Sequence, residues 1–456
     1  MAAQQTEPPT TEYDPLMTRI RILFWALVLG LTAFWIDADQ MFASGRSFSQ
    51  LQISFVNYTG IIAMGAMAVA LLLALRSVTV EPYVGGLDKS YRLHKWLGIA
   101  ALVMVIAHWI WIQSPSWLGS LGMITVPPRG RSRPPQGTGI MRALQGPARG
   151  IGQWCFYAAV ILILLALLKW FPYRQFIRTH RLLAVVYLFL VFHSVVLLET
   201  AYWKHLLSYV IAALMAAGTG AAVYILFRKV GRTRQAVGTI EAVTPHQDVR
   251  IVGVKVCLKD RWPGHDAGQF AFVKFHDDEE PHPFTISSGW RDDGELTFLI
   301  KQLGDYTGAL TKTLQVGSLV TVEGPYGRFT FTGPHKRQIW ISAGIGITPF
   351  VSRMQQLAGH PDGKSIDLFH ATSASDVRAN EGLWRLATEA GVRLHVWVRA
   401  EDGRLRAEHV CRGVPEWKEA DIWFCGPADF GKSLRKEFTA AGLPPSSFHQ
   451  ELFHLR

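Results

Sequence analysis

A chain of 456 residues is long enough for two to four domains, and its 49% apolar content, with 16 tryptophans, is concentrated in roughly the first half. The formal charge of +11 would suit nucleic acid, yet many of the lysines and arginines flank apolar segments and no recognised nucleic-acid motif accompanies them, so no nucleic-acid partner is expected. The four cysteines, Cys155, Cys257, Cys411 and Cys425, include no close pair, which excludes a CxxC zinc site and a run able to hold an iron–sulfur cluster, and three of them fall in the half expected to be cytoplasmic, so no disulfide framework is expected.

Residues 1–17 are polar, carry Glu7, Glu12 and Asp14, and lack the basic region of a signal peptide, so a short disordered cytoplasmic tail is expected. A membrane span needs about 20 mostly apolar residues. Six segments qualify: Ile20–Ile36, Ile53–Leu75, Leu93–Ile112, Trp154–Phe171, Leu182–Leu198 and Leu206–Phe227. Together they predict a six-helix transmembrane domain over 18–230. Basic clusters lie before the first span (Arg19, Arg21), between the second and third (Arg76, Lys89, Arg92, Lys95), between the fourth and fifth (Lys169, Arg174, Arg178, Arg181) and after the sixth (Arg228, Lys229, Arg232, Arg234). Six spans put all four clusters on one side, and the positive-inside rule makes it the cytoplasmic side, with both termini. The segment Gln113–Gln153 falls on the other side although it carries Arg129, Arg131, Arg133, Arg142 and Arg149. Either its length blunts the rule, or it forms an electropositive outer surface that attracts an anionic acceptor.

The third and fifth spans each carry two histidines, His94 with His108 and His180 with His193, separated by 14 and 13 residues. An imidazole in hydrocarbon is costly without a partner, so such residues point to a functional site. The separations correspond to about 21 and 20 Å of helix, which suits two stacked haems held between two parallel helices. Fourteen residues return to within about 40° of the same helix face, whereas 13 leave His193 about 140° from His180 on an ideal helix. Helix tilt, or an irregular first turn after Pro172, would have to make up the difference. Taken singly, His94 and His180, near helix ends, also read as interfacial residues, as does His205.

Beyond Arg228–Gln235 the composition becomes β-rich. Alternation over Val249–Val256, Gln269–Phe275, Leu296–Lys301 and Ser318–Glu323 predicts a small antiparallel barrel over 235–333. It contains Pro281-His282-Pro283-Phe284-Thr285, then Lys301 and Gly304-Asp305-Tyr306-Thr307, then Gly324-Pro325-Tyr326-Gly327. Over 336–456 strands alternate with helices: Gln338–Ser342, Ser365–His370, Leu394–Val398 and Asp421–Phe424 read as buried parallel strands of an α/β domain. The first runs into Gly344-Ile345-Gly346-Ile347-Thr348-Pro349, where glycines let the backbone approach a pyrophosphate and Pro349 suits the first helical turn. The last ends in Cys425-Gly426-Pro427.

The histidine spacing, the six spans and these motifs together resemble the transmembrane ferric reductase and NADPH oxidase superfamily, over about residues 15–456. No EF-hand loop is present, so the calcium-regulated branch does not apply. The resemblance implies His94 with His180 on an inner b-type haem and His108 with His193 on an outer one. It also implies a ferredoxin-NADP reductase-like module with FAD at His282, Pro283, Phe284 and Thr285, near Lys301 and Thr307. Phe284 would offer a flat face to the isoalloxazine, Thr285 a hydroxyl near N5, and Thr307 with nearby backbone N–H groups a hold on the pyrophosphate. NAD(P)H would lie along Gly344, Gly346, Thr348 and Pro349, with Cys425 and Gly426 beside the nicotinamide; Cys425 and Thr285 are the expected catalytic residues. Phe453 stands three residues before the end, where relatives end on a Phe that covers the flavin. Arg378 and Arg399 are both candidates to meet a 2′-phosphate, and both also read as solvated charges.

The expected activity is electron transfer from cytoplasmic NAD(P)H through FAD and two haems to an acceptor across the lipid bilayer, a ferric complex or dioxygen, in a bacterial inner membrane. Reduction of a quinone or a periplasmic protein by the same carriers is the rival within enzymes. A receptor or scaffold with a degenerate reductase domain is the rival outside them.

Overall fold

A computed structural model of the chain describes residues 15–42, 44–124, 139–168, 170–247, 249–276, 280–373 and 377–451. The tail before Pro15, Arg129, Arg131, Arg133 and Phe453 lie outside the described residues. The rest clusters into two compact units, one of long helices and one beginning at Gly231.

The helical unit contains α1 (Pro15–Asp39), α2 (Phe48–Ala74), the single turn α3 (Glu81–Val84), α4 (Leu87–Ser120), α5 (Ile140–Leu167), α6 (Tyr173–Leu197) and α7 (Leu206–Leu226). Six of these are long and apolar enough to cross a membrane. Most are longer than the apolar runs because polar turns, basic ones at the starts of α1, α4, α5 and α6, continue the helix beyond the apolar stretch, whereas α7 matches its run to within a residue. Most of the segment expected as an outer loop is therefore helical: Gln113–Ser120 completes α4 and Ile140–Gln153 opens α5, with Arg142 and Arg149 on it. Pro115 and Pro147 sit inside these helices near their ends.

The bundle core joins Leu31 and Trp35 of α1, Ile62 and Ala68 of α2, Tyr187 of α6 and Met215 of α7. Small residues let helices approach, as is usual between spans. A Cβ on Gly218 would overlap the Tyr187 hydroxyl, which donates to Met215 O at 3.3 Å.

The second unit opens with a sheet of β1 (Gln235–His246), β2 (Ile251–Leu258), β3 (Phe270–Lys274), β4 (His282–Thr285), β5 (Glu295–Lys301) and β6 (Leu319–Tyr326), with α8 (Asp305–Thr313) between the last two. All its pairings are antiparallel, in the order β4-β3-β6-β1-β2-β5. The expected barrel is not closed: the edge strands meet only at the isolated bridge Ile286–Phe298. Strand β4 is four residues long and Pro283 within it has no N–H to donate, so it cannot carry a second ladder. Strand β1, sparse in apolar residues and not singled out by alternation, is the longest and lies inside the sheet.

The remainder is β7 (Arg337–Ala343), α9 (Thr348–Gly359), β8 (Ser365–Thr372), α10 (Val377–Glu389), β9 (Val392–Val398), α11 (Arg399–Asp402), α12 (Ala407–Gly413), β10 (Ala420–Cys425), α13 (Ala428–Ala440) and β11 (Phe448–Gln450). These five strands form an all-parallel sheet in the order β11-β10-β7-β8-β9, with core on both faces. The chain winds outward from β7 through β8 to β9, then returns to β10 on the other side. The switch point therefore lies between the carboxyl ends of β7 and β10, where open α/β sheets bind ligands.

Candidate functional site: two histidine pairs and a strand-end cleft

Helices α4 and α6 bring the four membrane histidines together in two pairs. The ring centres of His94 and His180 are 5.7 Å apart and those of His108 and His193 are 6.4 Å apart. Helix α6 is continuous from Tyr173, so an irregular turn after Pro172 does not account for the second pair. The His180 ring instead leans along the helix onto Phe176, at 5.1 Å, in the direction helical side chains favour.

Backbone carbonyls orient three of the rings. His94 Nδ1 lies 2.9 Å from Ala70 O, His108 Nδ1 2.9 Å from Val56 O and His193 Nδ1 2.8 Å from Ala148 O. A carbonyl only accepts, so each Nδ1 carries the proton and each Nε2 keeps its lone pair. The acceptors Val56 and Ala70 on α2 repeat the 14-residue separation of the histidines they serve. His180 Nδ1 is buried without a partner among the described residues. Glycines make room on the far side: a Cβ on Gly152 would overlap the His193 ring, and one on Gly60 would stand 3.5 Å from His108 Cε1.

With imidazole–metal bonds of about 2 Å, rings at these separations leave space for one ion between them. Two facing imidazoles could hold a haem iron, and the two pairs fit two such groups; both tautomers are fixed by carbonyls in the His108–His193 pair and one, that of His94, in the other. Among the described residues no cluster of three or more His, Cys, Asp or Glu side chains is suited to a metal ion.

In the second unit the switch point is built from backbone. After β7 the chain turns through Gly344, at φ +55°, and Gly346 into α9, with Pro349 in its first turn. A Cβ on Gly346 would overlap the Cys425 carbonyl, and one on Gly426 would approach Ala343 Cβ at 2.9 Å. The two motifs, about 80 residues apart in sequence, thus pack backbone to backbone. Thr348 is buried and its hydroxyl donates to Ile345 O at 3.1 Å. Cys425 is fully buried; burial, and then the charge of the buried Glu451, push its thiol well above the ordinary range. It is therefore a neutral thiol at the floor of the cleft, and not a thiolate nucleophile.

The flavin-motif residues lie on β4. His282 and Phe284 alternate onto one face, their rings 6.5 Å apart, and His282 stacks on Tyr306 of α8 at 3.7 Å. Burial lowers the His282 pKa to about 4, so it is uncharged at neutral pH, unlike an arginine at that place. Thr285 is buried and its hydroxyl has no protein partner among the described residues. Lys301 Nζ reaches to 3.4 Å from where a Cβ on Gly344 would stand, linking the end of β5 to the glycine turn. A flat aromatic layer, the hydroxyl of Thr285 and a nearby ammonium fit a flavin. Thr307 is used differently from the expectation: its oxygen accepts from the N–H groups of Leu303 at 3.0 Å and Gly304 at 3.2 Å, capping α8. Arg399 is exposed at the end of β9.

Residues 59–191 match the family described as the ferric reductase like transmembrane component, and residues 242–330 match an FAD-binding domain family. The chain joins a ferric-reductase-like transmembrane component to an FAD-binding module. That pairing matches the ferric reductase and NADPH oxidase-like superfamily with a ferredoxin reductase-like module. A flavohemoprotein of Bordetella pertussis is 27% identical over 215 residues, 42% of this chain and 53% of that protein. An NADPH oxidoreductase of Mycobacterium tuberculosis is 31% identical over 136 residues, 29% of this chain and 36% of that protein. The chain thus spans about half the length of the curated relatives it matches. Among solved structures, the FAD/NAD-binding domain of nitric oxide dioxygenase from Vibrio cholerae is 18% identical with a TM-score of 0.43, covering 48% of this chain and 98% of that one.

Several residues of this ferric-reductase-like chain carried no sequence signal. The carbonyls of Val56, Ala70 and Ala148 have no side-chain signature. Glu451 reaches the site only through the fold. Arg234, just after the last long helix, is held on the end of β6: its guanidinium lies 4.7 Å over the Tyr326 ring and donates to Pro325 O at 2.6 Å. The basic cluster predicted it only as an orienting charge.

Proposed function

We propose that the chain is a membrane oxidoreductase that takes electrons from NAD(P)H in the cytoplasm and delivers them to an acceptor on the opposite face, a ferric complex or dioxygen. In this reading residues 18–230 carry two b-type haems, 235–333 the flavin and 336–456 the dinucleotide. His94 with His180 and His108 with His193 would hold the haems; His282, Phe284, Thr285 and Lys301 would hold FAD. When bound, flavin exchanges an electron pair with nicotinamide and single electrons with haem iron, the conversion that a two-electron donor and a one-electron acceptor require.

The observation that carries this reading is the pairing of four histidine rings at 5.7 and 6.4 Å, with three Nδ1 atoms tied to carbonyls. The protein's part at that site is orientation: the carbonyls fix which nitrogen is free, and Gly60 and Gly152 leave the rings room. At the strand-end cleft, Gly344 and Gly346 allow close approach of a pyrophosphate, Thr285 offers a hydroxyl, and Cys425 presents a neutral, polarisable wall that excludes water. With two histidines holding each haem, the group would supply electron transfer only, and the acceptor would take electrons without binding the iron. The basic clusters at Arg19, Arg92, Arg174 and Arg228 support a cytoplasmic dinucleotide site and cytoplasmic termini, and the bacterial origin of the relatives supports a bacterial inner membrane.

Reconstitution in sealed vesicles tests this, with the dinucleotide site outside and a membrane-impermeant ferric chelate trapped inside. Reduction of the trapped chelate by external NAD(P)H, lost in His108→Ala, is the expected result. Reduction only when chelate and dinucleotide share a compartment would overturn it.

A further inference from the structure

Ser342 and His370 stand side by side in the parallel ladder of β7 and β8, two residues before Gly344. Trp340 and Leu368, two residues earlier on each strand, enter the core with Phe350 and Met354 of α9, so the pair continues that face to the rim of the cleft. The Ser342 side chain is fully buried. Its hydroxyl lies 3.5 Å from Phe369 O and 2.8 Å from His370 Nδ1. With the Ser342 proton directed at Phe369 O, the imidazole proton is on Nδ1 and Nε2 holds a lone pair, the tautomer the proposal below assigns. Among the described residues no group bonds to Nε2. Burial lowers the His370 pKa to about 4, so the ring is neutral at neutral pH.

In doubly wound dinucleotide folds the end of the second strand, about 20 residues past the glycine turn, is where an acidic side chain accepts a hydrogen bond from the adenosine ribose 2′-hydroxyl. His370 is at the end of the second strand of this sheet, 24 residues past Gly346. It offers the same chemistry as the carboxylate, an acceptor without a donor proton. We propose that His370 Nε2 accepts the 2′-hydroxyl of the dinucleotide's ribose, with Ser342 holding its tautomer, and that this makes NADH the preferred donor over NADPH. The inference rests on the NAD(P)H reading of the cleft and adds the discrimination. A 2′-phosphate removes the donor proton and sets a dianion against a lone pair, and a site built to accept one hydroxyl rejects a group that cannot donate. Arg399, exposed at the end of the third strand, is the residue that would favour the phosphate instead.

The test is calorimetric titration of the full-length protein with ADP-ribose and with its 2′-phosphorylated form, alongside rapid-mixing reduction of the flavin by NADH and NADPH. ADP-ribose should bind about tenfold more tightly than the phosphorylated ligand, the effect of about 1.4 kcal/mol. His370→Ala should lose that tenfold for ADP-ribose and leave the phosphorylated ligand unchanged. Ser342→Ala, a smaller change that keeps the imidazole, should give an intermediate loss and carries the test if His370→Ala fails to fold. Tighter binding of the phosphorylated ligand, lost in Arg399→Ala, overturns the proposal, as does an equal loss for both ligands in His370→Ala. If ADP-ribose behaves as expected but neither dinucleotide reduces the flavin, the electron-transfer reading fails while the ribose contact stands.

Discussion

The two halves of the molecule build their sites by different means. In the helical unit the site is made of side chains, two histidines on each of two helices, and the backbone only orients them through Ala70, Val56 and Ala148. In the sheet unit the cleft is made of backbone, with Gly346 pressed on the Cys425 carbonyl and Gly426 on Ala343, and side chains only line it. A helix keeps its own polar groups satisfied and can project a ligand from any turn. A parallel sheet ends in turns whose free N–H groups are themselves the ligand site, so closeness of approach decides whether it works. The first kind of site should tolerate backbone-neutral changes near it and fail on loss of one side chain. The second should do the reverse.

The largest expected effect is at the histidines. His108→Ala or His193→Ala should lower the haem content from two to one per chain and abolish transfer to the far face, while flavin reduction by NAD(P)H continues at the wild-type rate. A reduced-minus-oxidised spectrum with a haem assay reads this, and an unchanged ratio would remove these residues from ligation. Second is a matched pair of glycines. Gly346→Ala forces a methyl into a backbone carbonyl that cannot move aside, and should cost several kcal/mol in the sheet unit or abolish dinucleotide-driven flavin bleaching. Gly152→Ala presses instead on the His193 ring and should spare flavin bleaching but perturb the outer haem's spectrum. If both variants fail in the same assay, the contrast between the halves is wrong.

Third, Cys425→Ala should slow flavin reduction in stopped flow, and Thr285→Ala should weaken flavin retention or slow its reduction. Wild-type rates in both would deny them those roles. Fourth is acid sensitivity. His282 and His370 are held neutral with pKa values near 4, against about 6.5 when unfolded. Between pH 6.5 and 4 the unfolded chain binds more protons, so stability falls as pH drops through that window. In the same unit burial raises the Asp367 pKa, but hydrogen bonds from Arg393 and His395 and their charge outweigh it and hold the carboxyl at about 2. Its contribution is present above pH 4 and is lost as pH falls towards 2. Thermal melts followed by flavin release should therefore decline first below pH 6.5; a flat profile down to pH 4 would contradict the buried neutral histidines. The smallest effect is Thr307→Ala, which removes the cap of α8 and should cost about 1 kcal/mol without changing flavin affinity. A large fall in flavin affinity would return Thr307 to the pyrophosphate.

Much of this architecture was legible along the chain because it rests on period and composition. Apolar length alone marked all six membrane helices, the strand runs marked most strands of both sheets, and the Gly344–Pro349 and Cys425–Pro427 turns were marked by residues whose use is local. The missed or shifted features depend on contacts instead. The ends of α4 and α5 facing the arginine-bearing loop moved outward because polar turns, Gln113–Ser120 and Ile140–Gln153, extend a helix without adding apolar signal, which shortened that loop. The sheet stayed open because β4 is short and contains Pro283, and β1 passed unmarked because its buried apolar residues, Ala236 and Ile240, are few among polar ones.

The sequence by itself singled out the candidate residues: four histidines in long apolar helices at separations of 14 and 13, a proline-bracketed His-Pro-Phe-Thr motif and a glycine turn after a strand. Only the tertiary structure decided how they are used. It paired His180 and His193 with α4 although an ideal helix sets them about 140° apart, assigned each ring's proton through carbonyls with no side-chain signature, and placed His370 beside Ser342 and Glu451 near Cys425. Periodicity fixes a residue's angle on its own element, whereas a site depends on the distance between elements, which packing alone sets.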